Sequence, residues 1–178
     1  MTETRRERRG LVQVYTGEGK GKTTAALGLA LRALGQGMRV LLVRLLKAED
    51  PPSGEVLFLR QQPNIDLLSS GIGGVAPRDP EVLTASVVAT FAKAQPLILS
   101  GKYDLVILDE VNNAVHRGAL AKEALLELLS QRPSEVELVL TGRHAAPEVL
   151  ALADLVTRME NVRHPMASGI AARRGVEF

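Results

Sequence analysis

Residues 16–24, with the sequence Thr-Gly-Glu-Gly-Lys-Gly-Lys-Thr-Thr, constrain the fold of this chain more than any other segment. They follow an apolar run at residues 11–15 and precede a helical pattern that begins near Ala25. A strand, a glycine-rich turn and a Gly-Lys-Thr sequence that opens a helix are the context of a phosphate-binding loop, or P-loop. A usual P-loop has glycine five residues before Gly21, where this chain has Thr16. The alternative, a Gly/Lys-rich surface turn, does not explain the correctly placed strand and helix.

Each residue type in this segment suits phosphate binding. The glycines let successive backbone N–H groups turn inward, because glycine adopts positive φ at little cost. The following helix adds unpaired N–H donors and the positive end of its dipole. Lys22 neutralises phosphate oxygens, and the Thr23 hydroxyl is a ligand for Mg²⁺. We therefore predict that the chain binds a nucleoside triphosphate. The predicted binding residues are Gly17, Glu18, Gly19, Lys20, Gly21, Lys22, Thr23, Thr24 and Arg143.

The composition agrees with one soluble α/β domain. The chain has 178 residues, of which 46% are hydrophobic and 24% charged, ordinary values for a globular protein. Its net charge of +2 gives no strong field toward nucleic acid or a membrane surface. The absence of cysteine excludes disulfides and thiolate metal ligands and suits the cytoplasm. We find no apolar run of membrane-spanning length and expect neither a signal peptide nor a transmembrane helix.

Strand and helix patterns alternate along the chain. Strands are predicted at residues 11–15, 39–46, 65–68, 105–108, 137–140 and 155–159, and helices at 24–36, 80–94, 120–131 and 147–153. A short helix at 55–61 fits within the loop at 47–64. Residues 69–77 are expected to be a second, mobile loop. Pro96 is expected to interrupt or kink the chain. The alternation predicts an α/β, RecA-like P-loop fold with a mostly parallel sheet flanked by helices. Residues 10–178 would form this single domain, and residues 1–9 a flexible amino-terminal arm.

A second element of the site follows the fourth predicted strand. Residues 105–108 are apolar and end in Asp109 and Glu110. A buried strand that carries a carboxylate to the sheet's carboxyl edge holds Mg²⁺ opposite the loop hydroxyl in nucleotide-binding folds. The predicted metal ligands are therefore Thr23, Asp109 and Glu110. Glu110 either orients a water for hydrolysis or completes the metal shell for a different transfer. The alternative is a solvated strand end, with Asp109 capping the next helix.

Arg143 is a further candidate site residue, whereas the three histidines are not. Arg143 follows the fifth predicted strand, where it either contacts the phosphates or braces its own turn. His116, His144 and His164 do not share metal-ligand spacing, and we predict that they are not catalytic.

Further short segments complete a recognisable pattern. They are residues 14–26 (VYTGEGKGKTTAA), 28–33 (GLALRA), 103–110 (YDLVILDE), 132–133 (RP), 140–143 (LTGR), 153–157 (ADLVT), 164–165 (HP), 169–170 (GI) and 174–178 (RGVEF). Together they resemble the P-loop type of corrinoid (cob(I)alamin) adenosyltransferases over most of the chain. A P-loop with threonine at the position of the leading glycine, as at Thr16, resembles the variant of the loop that this family has.

The resemblance implies transfer of the 5′-deoxyadenosyl group of ATP to cob(I)alamin or a cob(I)yrinic acid a,c-diamide-type precursor, with release of triphosphate. Cobalt(I) is so strong a nucleophile that no protein base is needed. The demanding step is then the departure of triphosphate, which Lys20, Lys22, the loop amides and Mg²⁺ (or Mn²⁺) would stabilise. Lys22 and Glu110 are the predicted catalytic residues. The family also implies a homodimer, an amino-terminal arm over the site, and a reductase, such as a flavoprotein, that supplies cobalt(I).

Two segments depart from the family's pattern. The family usually has a phenylalanine before Lys-Gly in the second strand and a Gly-x-Gly-Phe-Thr-Trp element, whose aromatic side chains shield the corrinoid. Here residues 45–48 are Leu-Leu-Lys-Ala and residues 71–76 are Gly-Ile-Gly-Gly-Val-Ala. Two other functions therefore stay open. One is a P-loop ATPase or kinase in which Asp109 or Glu110 activates water or a hydroxyl, and the other is a nucleotide-controlled corrinoid-binding module without turnover.

Overall fold

In a computed structural model of the chain, residues 9–49, 51–71, 79–165 and 169–176 are described. The predicted amino-terminal arm, apart from Arg9, lies outside these ranges. So do residues 72–77 of the predicted loop at 69–77. Residues 69–71 of that loop belong to a strand instead.

Strands and helices alternate along the described chain, as predicted. The strands are β1 (Val12–Thr16), β2 (Val40–Ala48), β3 (Ile65–Gly71), β4 (Leu105–Asp109), β5 (Glu137–Thr141) and β6 (Leu155–Arg158). The helices are α1 (Lys22–Gly35), α2 (Gly54–Leu59), α3 (Pro80–Leu99), α4 (Val111–His116), α5 (Lys122–Gln131) and α6 (Pro147–Ala151). Each predicted strand and helix is present within a few residues, whereas α4 was not predicted.

The strands form one six-stranded sheet in the order β3-β2-β4-β5-β1-β6. Every pairing among these strands is parallel, which confirms the predicted α/β architecture. Because the strands are parallel, their carboxyl ends meet at one edge of the sheet. The segments that follow β1, β4 and β5 therefore lie side by side at that edge, where ligands bind in open α/β sheets.

Two apolar layers hold helices against the two faces of the sheet. Side chains alternate between the faces of a strand, and β2 shows this directly. Leu41 and Val43 belong to the cluster that contains buried residues of α3 and α5. Val40 and Leu42 belong to the cluster that contains buried alanines of α1 and Leu59 of α2. This explains why β2 reads as a nearly continuous apolar run rather than an alternating one.

Helix α3 is longer than predicted. The Asp79 carboxylate accepts a 2.9 Å hydrogen bond from the Glu81 N–H at its start, and Pro80 occupies the first turn. The helix continues through Pro96 to Leu99, so the expected interruption at Pro96 is wrong, whereas the expected kink stays a prediction. Ala92 and Pro96 lie on the exposed side. There solvent can satisfy the Ala92 carbonyl, which proline leaves without a donor.

By length and composition alone, α3 is the one helix of the described residues that could span a membrane, with a mean hydropathy of 1.5. It buries Val87, Phe91 and Ile98 in the core cluster. The core helix of a folded domain passes the same test, so this is a weak indication of a membrane span.

Candidate active site

The P-loop, residues 16–24, connects β1 to α1 and packs against the segment that follows β6. The Gly19 N–H donates to the Met159 carbonyl at 2.8 Å, and the Met159 N–H donates to the Thr16 carbonyl at 2.8 Å. A Cβ on Gly17, which has φ +93°, would lie 2.4 Å from the Met159 carbonyl oxygen. A Cβ on Gly19 would lie 2.6 Å from the Glu160 carbonyl oxygen. These two glycines are therefore required by the close approach of another backbone as well as by the loop conformation.

Lys22, the first residue of α1, folds its side chain back across the loop. Its ammonium donates to the carbonyl oxygens of Gly17 and Gly19, both at 2.6 Å. Burial lowers the pKa of Lys22, and the neighbouring Arg143 guanidinium lowers it further, whereas the carboxylate of Glu110 opposes the shift. The predicted phosphate-binding cation thus lies over the centre of the loop.

Thr23 and Asp109, two of the predicted metal ligands, are in direct contact. The Thr23 hydroxyl donates to Oδ1 of Asp109 at 2.9 Å, and the Thr141 hydroxyl donates to the same oxygen at 2.6 Å. Asp109 is only 1% exposed, and its Oδ2 has no hydrogen-bond partner. Burial raises the pKa of Asp109, whereas the Lys47 ammonium and the Thr141 hydrogen bond lower it. The alternative of a solvated Asp109 that caps the next helix is wrong, since Asp109 is buried and Glu110 is the N-cap of α4.

Glu110 lies beside Asp109 and is held by two side chains. Lys47 Nζ is 3.5 Å from Oε1 of Glu110 and 3.9 Å from Oδ2 of Asp109. The Asn113 side-chain amide donates to Oε2 of Glu110. Sequence reasoning did not assign Lys47, Asn113 or Thr141 to the site. The available signal was positional, because Lys47 and Thr141 lie at the carboxyl ends of β2 and β5, the two strands that flank β4 and Asp109.

Unusual backbone geometry is concentrated at this edge. The non-glycine residues with positive φ in the described chain are Leu46 (54°), Glu110 (65°) and His144 (54°). They stand at or next to Lys47, Glu110 and Arg143. The pairing of β2 with β3 also shifts register between Arg44 and Ala48. Such irregularities re-aim side chains and are common at functional sites.

Arg143 contacts the P-loop through Glu18. Its Nη1 is 3.2 Å from Oε2 of Glu18, and Nε2 of His144 is 3.5 Å from Oε1 of the same residue. The His144 ring stacks on that of His116, with ring centroids 4.2 Å apart. Arg143 is therefore paired with the P-loop rather than with its own turn, and it also lines the cleft described next.

A cleft of about 700 Å³ brings these groups together. Lys22, Lys47, Glu110 and Arg143 line it beside the P-loop. The cleft is also lined by an apolar wall, which consists of Leu27 and Leu31 of α1 and Phe58 and Leu59 of α2. A ligand that fits this cleft has a polyanionic part and an apolar part.

The donor set fits a magnesium ion. Mg²⁺ in nucleotide sites takes one or two carboxylates together with phosphate oxygens and waters. The Thr23 hydroxyl, Oδ2 of Asp109, which accepts no hydrogen bond, and the carboxylate of Glu110 meet that requirement. No group of three or more His, Cys, Asp or Glu residues with metal-binding geometry occurs in the described part of the chain.

The fold and the loop define a P-loop nucleotide-binding protein of the RecA-like class. Among solved structures, a KaiC-like protein from Pyrococcus horikoshii matches with a TM-score of 0.57 and 15% sequence identity. The match covers 85% of this chain and 73% of that protein. At this identity the likeness concerns the fold alone, and it confirms the predicted fold class.

The sequence comparisons are more specific. The family described as ATP:corrinoid adenosyltransferase BtuR/CobO/CobP matches residues 8–178. The corrinoid adenosyltransferase of Pseudomonas aeruginosa is 36% identical over 174 residues, which cover 97% of this chain and 86% of that protein. Corrinoid adenosyltransferase CobA of Salmonella typhimurium is 31% identical over 172 residues, which cover 97% of this chain and 87% of that protein. The chain belongs to the ATP:corrinoid adenosyltransferase family, which confirms the resemblance in its sequence.

Proposed function

We propose that this chain transfers the 5′-deoxyadenosyl group of ATP to the cobalt(I) of a corrinoid. The electron pair of cobalt(I) forms the bond to the 5′ carbon, the bond from that carbon to oxygen breaks, and its electrons leave on triphosphate. Cobalt is formally oxidised from +1 to +3. The observation that carries the proposal is the contact of Thr23 with Asp109, next in the chain to a Lys22 whose ammonium is held against the P-loop carbonyls, in a chain of this family.

The P-loop side of the cleft suits a leaving group that gains negative charge. Lys22 donates to two loop carbonyls, and triphosphate oxygens would replace these as stronger, charged acceptors. The amides at the start of α1 and the positive end of its dipole add fixed donors. Donors that are already oriented stabilise developing charge without reorganisation in the transition state.

The metal ligands in this proposal are Thr23, Asp109 and Glu110. These residues would hold Mg²⁺ or Mn²⁺, which would supply positive charge to the phosphate oxygens. Asp109 and Thr23 position that charge because the two side chains already contact each other. Glu110 is paired with Lys47 and accepts from Asn113. This favours a positioning role for Glu110 over removal of a proton from water, and therefore adenosyl transfer over ATP hydrolysis.

Further features of the proposal are supported by the resemblance to the family and by the sequence itself. The acceptor is cob(I)alamin or a cob(I)yrinic acid a,c-diamide-type precursor, and a flavoprotein reductase supplies the cobalt(I) state. The protein acts in the cytoplasm as a homodimer on small-molecule substrates, without nucleic acid or membrane partners. The catalytic domain in this proposal is residues 10–178.

Product analysis tests the proposal and separates it from its rivals. The protein is incubated anaerobically with ATP, Mg²⁺ and chemically reduced cobalamin, and the phosphorus products are separated by ion exchange. We expect triphosphate together with a corrinoid whose cobalt–carbon bond is broken by light. Accumulation of ADP or phosphate without that bond would identify an ATPase or kinase. Tight ATP binding without any product would identify a nucleotide-controlled binding module.

A further inference from the structure

Two large apolar side chains stand half exposed in the apolar wall. Leu31 on α1 is 57% exposed and Phe58 on α2 is 52% exposed, and both line the cleft. Phe58 is the only phenylalanine, tyrosine or tryptophan among the described residues that line it. Large apolar groups in a concave site next to convergent polar groups are typical of ligand contacts.

The backbone holds the wall in position. Thr24, Leu27, Gly28 and Leu31 follow each other at helical spacing and all line the cleft. From Lys22 to Leu31 the helix rises about 13 Å at 1.5 Å per residue, so the wall leads from the P-loop outward. Nothing lies within 4 Å of where a Gly28 Cβ would be. Gly28 therefore leaves a flat strip between the two leucines.

Helix α2 supplies the opposite side of the wall. Val56 and Leu59 are 1% and 4% exposed and anchor the helix in the protein. Phe58 stands between them in sequence and faces the cleft, whereas Leu57, which is 49% exposed, is not among the residues that line it. Leu57 and Phe58 are exposed to a similar extent, and of the two only Phe58 lines the cleft.

The chemistry of the wall favours a broad apolar ligand over a purine. The side chains of Leu27, Leu31, Phe58 and Leu59 carry no hydrogen-bonding atom, whereas recognition of a purine edge uses donors and acceptors. The reacting 5′ carbon is attached to the triphosphate through one oxygen. Cobalt must come within bonding distance of this carbon, so the macrocycle around cobalt lies beside the phosphate site and along the cleft.

We propose that Leu31 and Phe58 form the platform on which the corrin ring of the acceptor lies, with Gly28 as a flat strip beside Leu31 on α1. This inference rests on the proposed function and assigns its second substrate to named residues. Contact with the platform removes water from the ring and from the apolar side chains. It binds the acceptor and makes no contact with ATP.

The test compares Phe58→Ala with Leu57→Ala, a matched control on the same helix outside the cleft. The KM values for cob(I)alamin and ATP are measured separately under anaerobic conditions. We expect Phe58→Ala to raise the KM for cob(I)alamin about tenfold or more, as loss of a buried aromatic contact predicts. Its KM for ATP should stay within about twofold. Leu57→Ala should leave both values unchanged.

A second variant and a binding measurement guard against ambiguous results. Leu31→Ala shortens the side chain on the other side of the platform, and alanine is a good helix former, so α1 should be preserved. This variant should also raise the KM for cob(I)alamin. Equilibrium dialysis with cob(II)alamin and ATP, which needs no turnover, should show weaker corrinoid binding in both variants.

A raised KM for ATP alone, or unchanged KM values for cob(I)alamin in folded variants, would overturn the assignment of Leu31 and Phe58 as the platform. Failure of the wild-type chain to form a cobalt–carbon bond while Phe58→Ala still weakens corrinoid binding would instead overturn the proposed function.

Discussion

The hydroxyl of Thr23 donates a 2.9 Å hydrogen bond to Oδ1 of Asp109, 86 residues further along the chain. The same oxygen accepts from Thr141, so the P-loop and the ends of β4 and β5 meet at one carboxylate. Oδ2 of that carboxylate is buried without a hydrogen-bond partner. Burial of a carboxylate costs free energy, and the Lys47 ammonium, 3.9 Å from Oδ2, offsets that cost only in part. Asp109 is therefore better explained by ligand or metal binding than by stability.

Replacing Asp109 with asparagine separates the contribution of this residue to metal binding from its contribution to stability. The amide oxygen of Asp109→Asn can still accept from Thr23 and Thr141, and the cost of burying a charge is removed, although a buried amide nitrogen gains no partner. We expect the free energy of unfolding to change by no more than about 1 kcal/mol. Turnover should fall about 100-fold, with a higher Mg²⁺ concentration needed for half-maximal rate. Urea denaturation and Mg²⁺ titrations measure the two quantities, and a destabilised variant with full activity would refute this account of Asp109.

Lys22→Ala removes the ammonium that lies across the P-loop. Because this cation would contact the departing triphosphate, kcat/KM should fall about 1,000-fold, at the upper end for loss of one oriented donor. The far-ultraviolet circular dichroism spectrum and the Tm should stay close to wild type. Lys93→Ala, on the exposed side of α3, serves as the control and should keep full activity. Near-wild-type turnover of Lys22→Ala would remove Lys22 from the mechanism.

Lys47→Met tests the cation that pairs with both acidic residues of the site. Lys47 lowers the pKa of Asp109 against the effect of burial. Without Lys47 that pKa rises, so Asp109 becomes protonated, and loses its ability to bind metal, at a higher pH. The acid limb of the kcat/KM profile should therefore move to higher pH, and the maximal rate should fall about tenfold. An acid limb that stays in place or moves to lower pH would contradict the role given to Lys47.

Tyr103→Phe tests a contact remote from the site. The Tyr103 hydroxyl donates to Oδ2 of Asp66 at 2.6 Å, and burial together with this hydrogen bond raises the pKa of Tyr103 to about 12. The folded state then retains the phenolic proton between about pH 10 and pH 12, where the unfolded chain loses it. The stabilisation is complete below pH 10 and is lost as the pH rises through this window. The phenylalanine variant should be about 1 kcal/mol less stable at pH 8, and this difference should shrink by pH 11.5 in urea titrations. A constant difference would show that the hydroxyl titrates normally.

The fold and the central residues of the site could be predicted because their signals are short, local patterns in the sequence. The Gly-Lys-Thr sequence places Lys22 and Thr23 at a helix start, and the apolar residues before Asp109 carry its carboxylate to the sheet edge. Parallel pairing then brings Thr23 and Asp109 together. Helix α4 could not be predicted in the same way, because its two asparagines have low helix propensity.

The other site residues depend on contacts that no local pattern signals. Lys47 approaches Asp109 because β2 changes register against β3 before Ala48, and Leu46 takes a positive φ that leucine rarely adopts. Phe58 lies in a short helix whose placement depends on packing of Val56 and Leu59. These features arise from tertiary structure and could be located only in the folded chain.

A single-turnover reaction with ATP labelled with ¹³C at the 5′ carbon tests the central claim most directly. The protein, in excess over labelled ATP, is mixed anaerobically with cob(I)alamin and Mg²⁺ and quenched with acid in the dark. Nuclear magnetic resonance then locates the label, and triphosphate is quantified in the same sample. The account predicts that the label becomes bonded to cobalt in an amount equal to the triphosphate released. Label that remains in ADP or AMP, or triphosphate formed without a cobalt–carbon bond, would contradict it.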